Sequence, residues 1–296
     1  MTDDRLLPPP FKVGNVEVRR VVEIYAPFRT LAGMFPQDAE VAEAAVEAMR
    51  GDLEGWALDP KSGMLILAIQ TYVLRTSRHV IVVDTCVGCG KSYPSIPAWH
   101  MRTNDRWLRT LAEAGVDRAE VTHVLCTHLH GDHVGWNTMQ VDGKWVPTFP
   151  NATYLMTATD ERFIQTARPE TWVESVSPVI AAGQAQLVET DFALDDEVWI
   201  EPSPGHTPGH VCVHVRSQGE EAMLTGDAFH STIQCRHPEL RFFSDADPEQ
   251  AVRTRRAIFE ATAETDRLIL PAHFPLPTIG HVVREGEAFG FRFKRL

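Results

Sequence analysis

Residues 128 to 133 read His128-Leu129-His130-Gly131-Asp132-His133, three imidazoles and a carboxylate within one hexapeptide. Neutral imidazole is the commonest protein ligand for zinc-like metals, and carboxylate is the next hard donor. His128 and His130 are two apart, so in an extended segment they point the same way. Asp132 and His133 lie just beyond, where a turn aims them at a second point. One segment can therefore serve two ions. A polar surface loop is the plain alternative, and three downstream features argue against it. Gly205-His206-Thr207-Pro208-Gly209-His210 follows an apolar stretch from Glu197 to Glu201. Thr225-Gly226-Asp227 closes Ala222-Met223-Leu224, and His273 follows Leu268-Ile269-Leu270-Pro271-Ala272. Each is a His or Asp just after a short apolar strand, where a rigid sheet positions a polar group.

In this order the motifs resemble those of the metallo-β-lactamase superfamily. The pattern H-x-H-x-D-H, then H, D and H, spans roughly residues 64 to 285. The resemblance implies an α/β (α+β) fold, a four-layer αββα sandwich with metals at one edge between the sheets. It implies that His128, His130 and His206 hold one metal and Asp132, His133 and His273 the other. Asp227 would bridge them. Asp84, in Val82-Val83-Asp84-Thr85, fits the family's early strand-end aspartate, which orients ligands by hydrogen bonds.

The electrostatics of such a site are independent of the resemblance. Two divalent ions bring four positive charges; Asp132, Asp227 and a bridging hydroxide cancel three. The residual charge of about +1 raises the acidity of bound water. Two metals about 3.5–4 Å apart supply a nucleophile and polarise a carbonyl or phosphoryl oxygen together. The reaction class is hydrolysis. Zinc is the first choice of metal, but His and carboxylate sites also accept manganese, cobalt and iron.

Several branches of the superfamily can be weighed. Zinc β-lactamases typically lack a His at the position of His133 and use a later Cys. Glyoxalase-II-type thioesterases carry a basic helical tail, whereas the stretch after His273 is short and hairpin-like. Single-iron sulfur dioxygenases lack the second metal site. What remains resembles the N-acyl homoserine lactonases and the methyl-parathion-hydrolase-like proteins. The lactonases place a Tyr three residues after the bridging Asp; this chain has His230 there, nearer the organophosphate-hydrolysing relatives. Phosphotriesters are largely man-made, so an ester or lactone is the expected natural substrate. The alternatives are mono-iron sulfur or oxygen chemistry, and a thioesterase or β-lactamase-type activity. Asp132, Asp227 and His230 are the candidate catalytic groups. His210, four after His206, reads as structural or as a prop behind the ligands.

The elements that must position these residues follow from pattern. Strands are expected at Val16–Ile24, Met64–Leu74, Val80–Val83, Val121–Cys126, Thr153–Met156, Gln186–Val188, Val198–Ile200, His210–Val215, Ala222–Leu224 and Leu268–Leu270. Val282 to Phe289 reads as a closing hairpin. Helix formers fill Asp38 to Arg50, with Gly51 as a stop. This helix and residues 1–10, an extended or flexible arm ending in Pro8-Pro9-Pro10, elaborate a single domain at about residues 1–60. They offer surface for a homodimer. Trp107 to Ala114 is helical, ended by Gly115. Asp247-Pro248-Glu249-Gln250 opens a helix running to about Ala263: Asp caps, and Pro suits the first helical position. Trp136, Phe229, Phe274 and Leu276 stand near the motifs as pocket walls or core.

Length and charge set the remaining bounds. At 296 residues and 44% hydrophobic, the chain can bury a sizeable core. A formal net charge of −12, with 28 Lys and Arg against 40 Asp and Glu, argues against nucleic-acid partners and for a small-molecule substrate. No apolar run reaches the length of a membrane span. The start, Met1-Thr2-Asp3-Asp4-Arg5, lacks a signal-peptide core, so a cytoplasmic location is expected. Five cysteines, Cys86, Cys89, Cys126, Cys212 and Cys235, then suggest reduced thiols. Cys86 and Cys89 form a C-x-x-C with no partner pair, so a buried or loop role is expected there.

Overall fold

Val80–Val83 and Leu268–Leu270 are short, apolar and almost wholly buried, as parallel strands covered on both faces must be. They anchor two sheets. The computed structural model describes residues 6–53 and 56–294. It divides into two compact units, one made of residues up to Glu23 with Ile69–Phe192, the other of Ile24–Ala68 with Ala193 onward. The expected arm falls partly outside the described residues. From Leu6 on it is tethered: the Leu6 carbonyl accepts the Val22 N–H at 2.9 Å.

The first unit is built on β1 (Phe11–Val13), β2 (Val16–Arg29), β3 (Leu65–Arg75), β4 (Val80–Val83), β5 (His123–Leu125), β6 (Thr138–Val141), β7 (Lys144–Pro147), β8 (Thr153–Thr157) and β9 (Ala185–Val188). Seven of these form a sheet in the order β1-β2-β3-β4-β5-β8-β9, and β6 and β7 pair separately. The ends of β2 and β3 continue into the second unit. β4, β5, β8 and β9 run parallel, with Val82 opposite Val124 and Val124 opposite Tyr154. Parallel neighbours end at the same edge. Asp84, just after β4, and His128, just after β5, therefore leave the sheet side by side. The β6–β7 hairpin, not foreseen above, turns on Asp142-Gly143, both at positive φ. Asp-Gly is a preferred pair for a two-residue turn between twisted strands.

The second unit holds β10 (Val198–Pro202), β11 (Val211–Ser217), β12 (Glu220–Leu224), β13 (Leu268–Leu270), β14 (Gly280–Glu285) and β15 (Ala288–Phe293), paired in that order. Only β12 and β13 are parallel. The helix Pro248–Thr262 lies between them in sequence, capped by Asp247, whose Oδ1 accepts the Gln250 N–H at 2.9 Å. Two antiparallel steps separate β10 from β12, so β10, β12 and β13 share a direction. Their C-terminal ends deliver His206, Asp227 and His273 to one edge. The helix Ala39–Leu53 runs past Gly51, the expected stop. A glycine in a helix costs only about 1 kcal/mol, and Leu53 is buried with Ala42, Ala45, Val46 and Met49 against Ile233, Leu240 and Phe242. That helix covers the core of its unit. Among the described residues, no helix is long and apolar enough to cross a membrane.

One glycine shows how closely the loops of the first unit pack. The Gly135 N–H donates to the Cys86 carbonyl at 2.7 Å. A Cβ there would lie 1.9 Å from the Val87 carbonyl oxygen, a backbone atom that cannot swing aside. Gly135→Ala should cost about 1–3 kcal/mol, as overpacking does, and lower Tm by several degrees. An unchanged melting curve would show that this loop pair has room to give.

Candidate functional site

In the first unit the donors sit on a tight turn. The short helix Gly131–Val134 starts directly after His130. The His133 N–H closes onto the His130 carbonyl at 3.0 Å, while Tyr93 Oη donates to the Gly131 carbonyl at 2.8 Å. The imidazole centroids of His128 and His130 are 4.8 Å apart, those of His128 and His133 4.1 Å. Asp132 Oδ2 lies 3.7 Å from His133 Nε2. Asp84 hydrogen-bonds one of the candidate ligands, His133, and Thr127, the neighbour of another. Its Oδ2 meets His133 Nδ1 at 2.8 Å, and its two oxygens accept the Thr127 N–H and hydroxyl, each at 2.8 Å. With its proton committed to Asp84, the Thr127 hydroxyl can only accept from His128 Nδ1, 3.1 Å away. Asp160, buried and not foreseen, accepts the Leu129 N–H at 3.2 Å.

In the second unit three imidazoles converge on one carboxylate. Asp227 is 4% exposed. Its Oδ1 is 2.9 Å from His273 Nε2, and its Oδ2 is 3.2 Å from His206 Nε2 and 3.1 Å from His230 Nε2. The ligand atoms of His206, Asp227 and His230 fall within 4.8 Å of one another, close enough to share an ion. The far sides of the rings are anchored. His273 Nδ1 donates to the Ala68 carbonyl at 2.9 Å, and His206 Nδ1 meets Asp245 Oδ1 at 2.9 Å. His210 is a prop: its Nε2 accepts the Asp227 N–H at 2.9 Å and its Nδ1 faces Ser203 Oγ at 2.8 Å. Burial works against charge on His206, but Asp227 and Asp245 outweigh it and raise His206 to about 9. Burial takes His230 the other way, to about 4, against the pull of Asp227.

The pattern is one that could hold a metal ion. His128, His133, His206 and His273 each bond through Nδ1 to a protein oxygen, which fixes the tautomer and turns Nε2 toward the site. The donor set of nitrogen and carboxylate oxygen suits a divalent ion of the zinc type.

His230, a candidate catalytic group, lies buried beside Asp227. It is 1% exposed, stacked on Phe242 with centroids 3.5 Å apart and on His273 at 5.6 Å. Of the residues read as pocket walls or core, Trp136, Phe229 and Phe274 are core. Trp136 stacks on Trp107 and donates to the buried Glu23 carboxylate at 2.9 Å, while Phe229 and Phe274 pack on each other. Phe242, not singled out above, is the phenyl ring stacked on His230, and Phe243 packs against Phe242. Cys86 and Cys89 are free thiols, both pushed up by burial, which suits a structural rather than a redox pair.

Comparison with known proteins agrees with this geometry. The metallo-β-lactamase superfamily model matches residues 66–273. The chain belongs to that superfamily. N-acyl homoserine lactonase AiiA of Bacillus thuringiensis subsp. kurstaki is 24% identical over 223 residues, covering 71% of this chain and 82% of that protein. AidC, a dizinc quorum-quenching lactonase solved with a product, superposes with a TM-score of 0.80 at 21% identity, covering 99% of each chain. The hydrolase AbOPH of the β-lactamase superfamily gives 0.79 at 22%, covering 97% of this chain and 98% of that one. The expected fold, mixed α/β in the αββα metallo-β-lactamase arrangement, is thereby shown.

Proposed function

We propose that this chain is a binuclear metal-dependent hydrolase that opens an ester or lactone carbonyl, with phosphotriesters as secondary substrates. One observation carries the reading: four imidazoles anchored through Nδ1, two in each unit, with the Asp132 and Asp227 carboxylates within 3.7 Å of imidazole Nε2 atoms of their own unit. His128, His130 and His206 would hold one ion, Asp132, His133 and His273 the other, and Asp227 both. Zinc is the first choice, and manganese, cobalt and iron suit the same donors. A dizinc lactonase among the structural relatives supports this choice of metal and reaction. When bound, such a pair of ions makes hydroxide available at neutral pH and polarises the oxygen of the scissile bond.

The chain's own groups orient and exclude. Asp84, Thr127, Asp245 and the Ala68 carbonyl hold the rings in the ligand tautomer. His210 fixes the backbone from which Asp227 projects. His230 supplies a ring nitrogen next to Asp227 for a hydrogen bond to substrate. Burial of these groups keeps competing water away from the donors, which strengthens every charge interaction there.

Elemental analysis of protein purified without chelator, joined to a substrate panel, tests the proposal. Metal content should approach two per chain, colourless with zinc. Lactones or aryl esters should turn over faster than β-lactams. Saturation at one metal after adding zinc or manganese would overturn the binuclear reading. A single redox-active iron would move the chain to dioxygenase chemistry.

A further inference from the structure

One short segment holds His206 by its ring and its carbonyl, and Gly205 before it by its carbonyl. Asp245 Oδ1 meets its Nδ1 at 2.9 Å. The Ala246 N–H donates to the His206 carbonyl at 3.0 Å, and the Asp247 N–H to the Gly205 carbonyl at 2.9 Å. The Asp245 and His206 side chains are 0% and 1% exposed. Asp245 is itself fixed. Its Oδ2 accepts the Phe242 N–H at 3.0 Å and faces Arg255 Nη2 at 3.9 Å. Arg255, buried in the helix Pro248–Thr262, is locked by Nε to the Ala228 carbonyl at 3.0 Å. Its Nη1 reaches the Pro238 carbonyl at 2.8 Å and the Leu240 carbonyl at 2.7 Å.

We infer that Asp245 is the positioning residue that sets the tautomer and aim of His206, with Arg255 holding Asp245 in place. The inference rests on the metal-hydrolase reading above and extends it to a residue outside the ligand set. An ionised carboxylate favours the proton on Nδ1, which leaves Nε2 as the ring atom that would bind an ion beside Asp227. It also makes the ring a stronger donor than a neutral partner would. His273 Nδ1 meets the Ala68 backbone carbonyl in that place, whereas His206 Nδ1 meets a buried carboxylate. Asp245 touches no substrate in this scheme; it acts through His206.

The test is a zinc titration of the full chain against a chelator of known affinity. Asp245→Ala should weaken one of the two ions roughly 10–100-fold, the usual effect of losing such a partner, and leave the other near wild type. Asp245→Asn keeps shape and an acceptor oxygen, so its loss should be smaller, and it guards against misfolding of the alanine variant. In a His206→Ala background, Asp245→Ala should add nothing further, because the ring it serves is gone. Equal losses in both backgrounds would show that Asp245 merely braces the loop, and would overturn the assignment. So would wild-type affinity in both single variants. Wild-type protein that loads two ions but hydrolyses nothing in the panel would sink the proposed activity and leave this role standing. Wild-type protein that takes up no metal would sink both.

Discussion

Asp227→Ala should strip metal from the protein and lower hydrolysis by roughly 10³-fold or more. Metal-ion catalysis is worth several kcal/mol of transition-state stabilisation, and each 1.36 kcal/mol is about a factor of ten. The size of the effect follows from what surrounds this side chain. Three Nε2 atoms lie within 3.2 Å of its two oxygens, all buried. Remove the carboxylate, and the cluster of imidazoles would face the two proposed divalent ions with one anion fewer. Asp227→Asn separates charge from shape, since it keeps the side-chain volume and one acceptor oxygen. It should retain the fold and still lose most of the metal. Elemental analysis and turnover on an aryl ester, measured on the same preparation, decide the matter. If the alanine variant kept two ions and near-normal turnover, Asp227 would not be the shared ligand. His206→Ala offers a graded comparison, because it removes one donor from one ion. Its metal loss should be partial where that of Asp227→Ala is general.

The donor residues are legible in the sequence because each stands directly after an apolar strand. Val80–Val83, His123–Leu125, Glu220–Leu224 and Leu268–Leu270 all form as strands, and the polar residue after each emerges at a sheet edge. That geometry needs only local pattern plus a parallel sheet, and both leave marks in composition. The residues behind the ligands leave no such mark. Asp245 lies 39 residues from the ring it holds, in Phe242-Phe243-Ser244-Asp245, which has no period and no motif. Asp160 is a helix-start residue by local sequence, and its bond to Leu129 exists only in the folded chain. The same is true of Glu23, 113 residues from Trp136. Lys91 is a plain basic residue in sequence. Folded, it is buried, with Nζ 2.6 Å from Thr138 Oγ1, 2.7 Å from the Glu174 carbonyl and 3.5 Å from the centre of the Trp145 ring. Burial pulls it down to about 7. Side-chain partners distant in sequence are set by packing, and periodicity does not encode them. The Asp142-Gly143 turn is the opposite case, a local signal available to a closer reading.

His230→Phe should keep both metals and lower kcat by roughly 10²–10³-fold, the range seen when a hydrogen-bond donor to developing charge is removed. The position is three residues after Asp227, on the loop leaving β12, as the sequence implies. The structure sharpens the role. His230 Nε2 lies 3.1 Å from Asp227 Oδ2, and its backbone N–H is held by Gln234 Oε1 at 2.7 Å. Phe242 and His273 both lie near-parallel to the ring, so a phenyl ring suits the same slot. A ring held neutral by burial serves better as a hydrogen-bond donor than as a store of protons for the leaving group. The leaving group then provides the discriminating measurement. A donor to the carbonyl oxygen should matter similarly for nitrophenyl and alkyl esters. A proton donor to the leaving group should matter far less for nitrophenyl, which departs unaided. The buried, neutral ring favours the first pattern. Loss of metal in His230→Phe would instead make the imidazole a ligand or a support for Asp227, as its 3.1 Å contact also allows. Wild-type turnover on every ester and lactone, with both metals kept, would leave His230 with no part in catalysis.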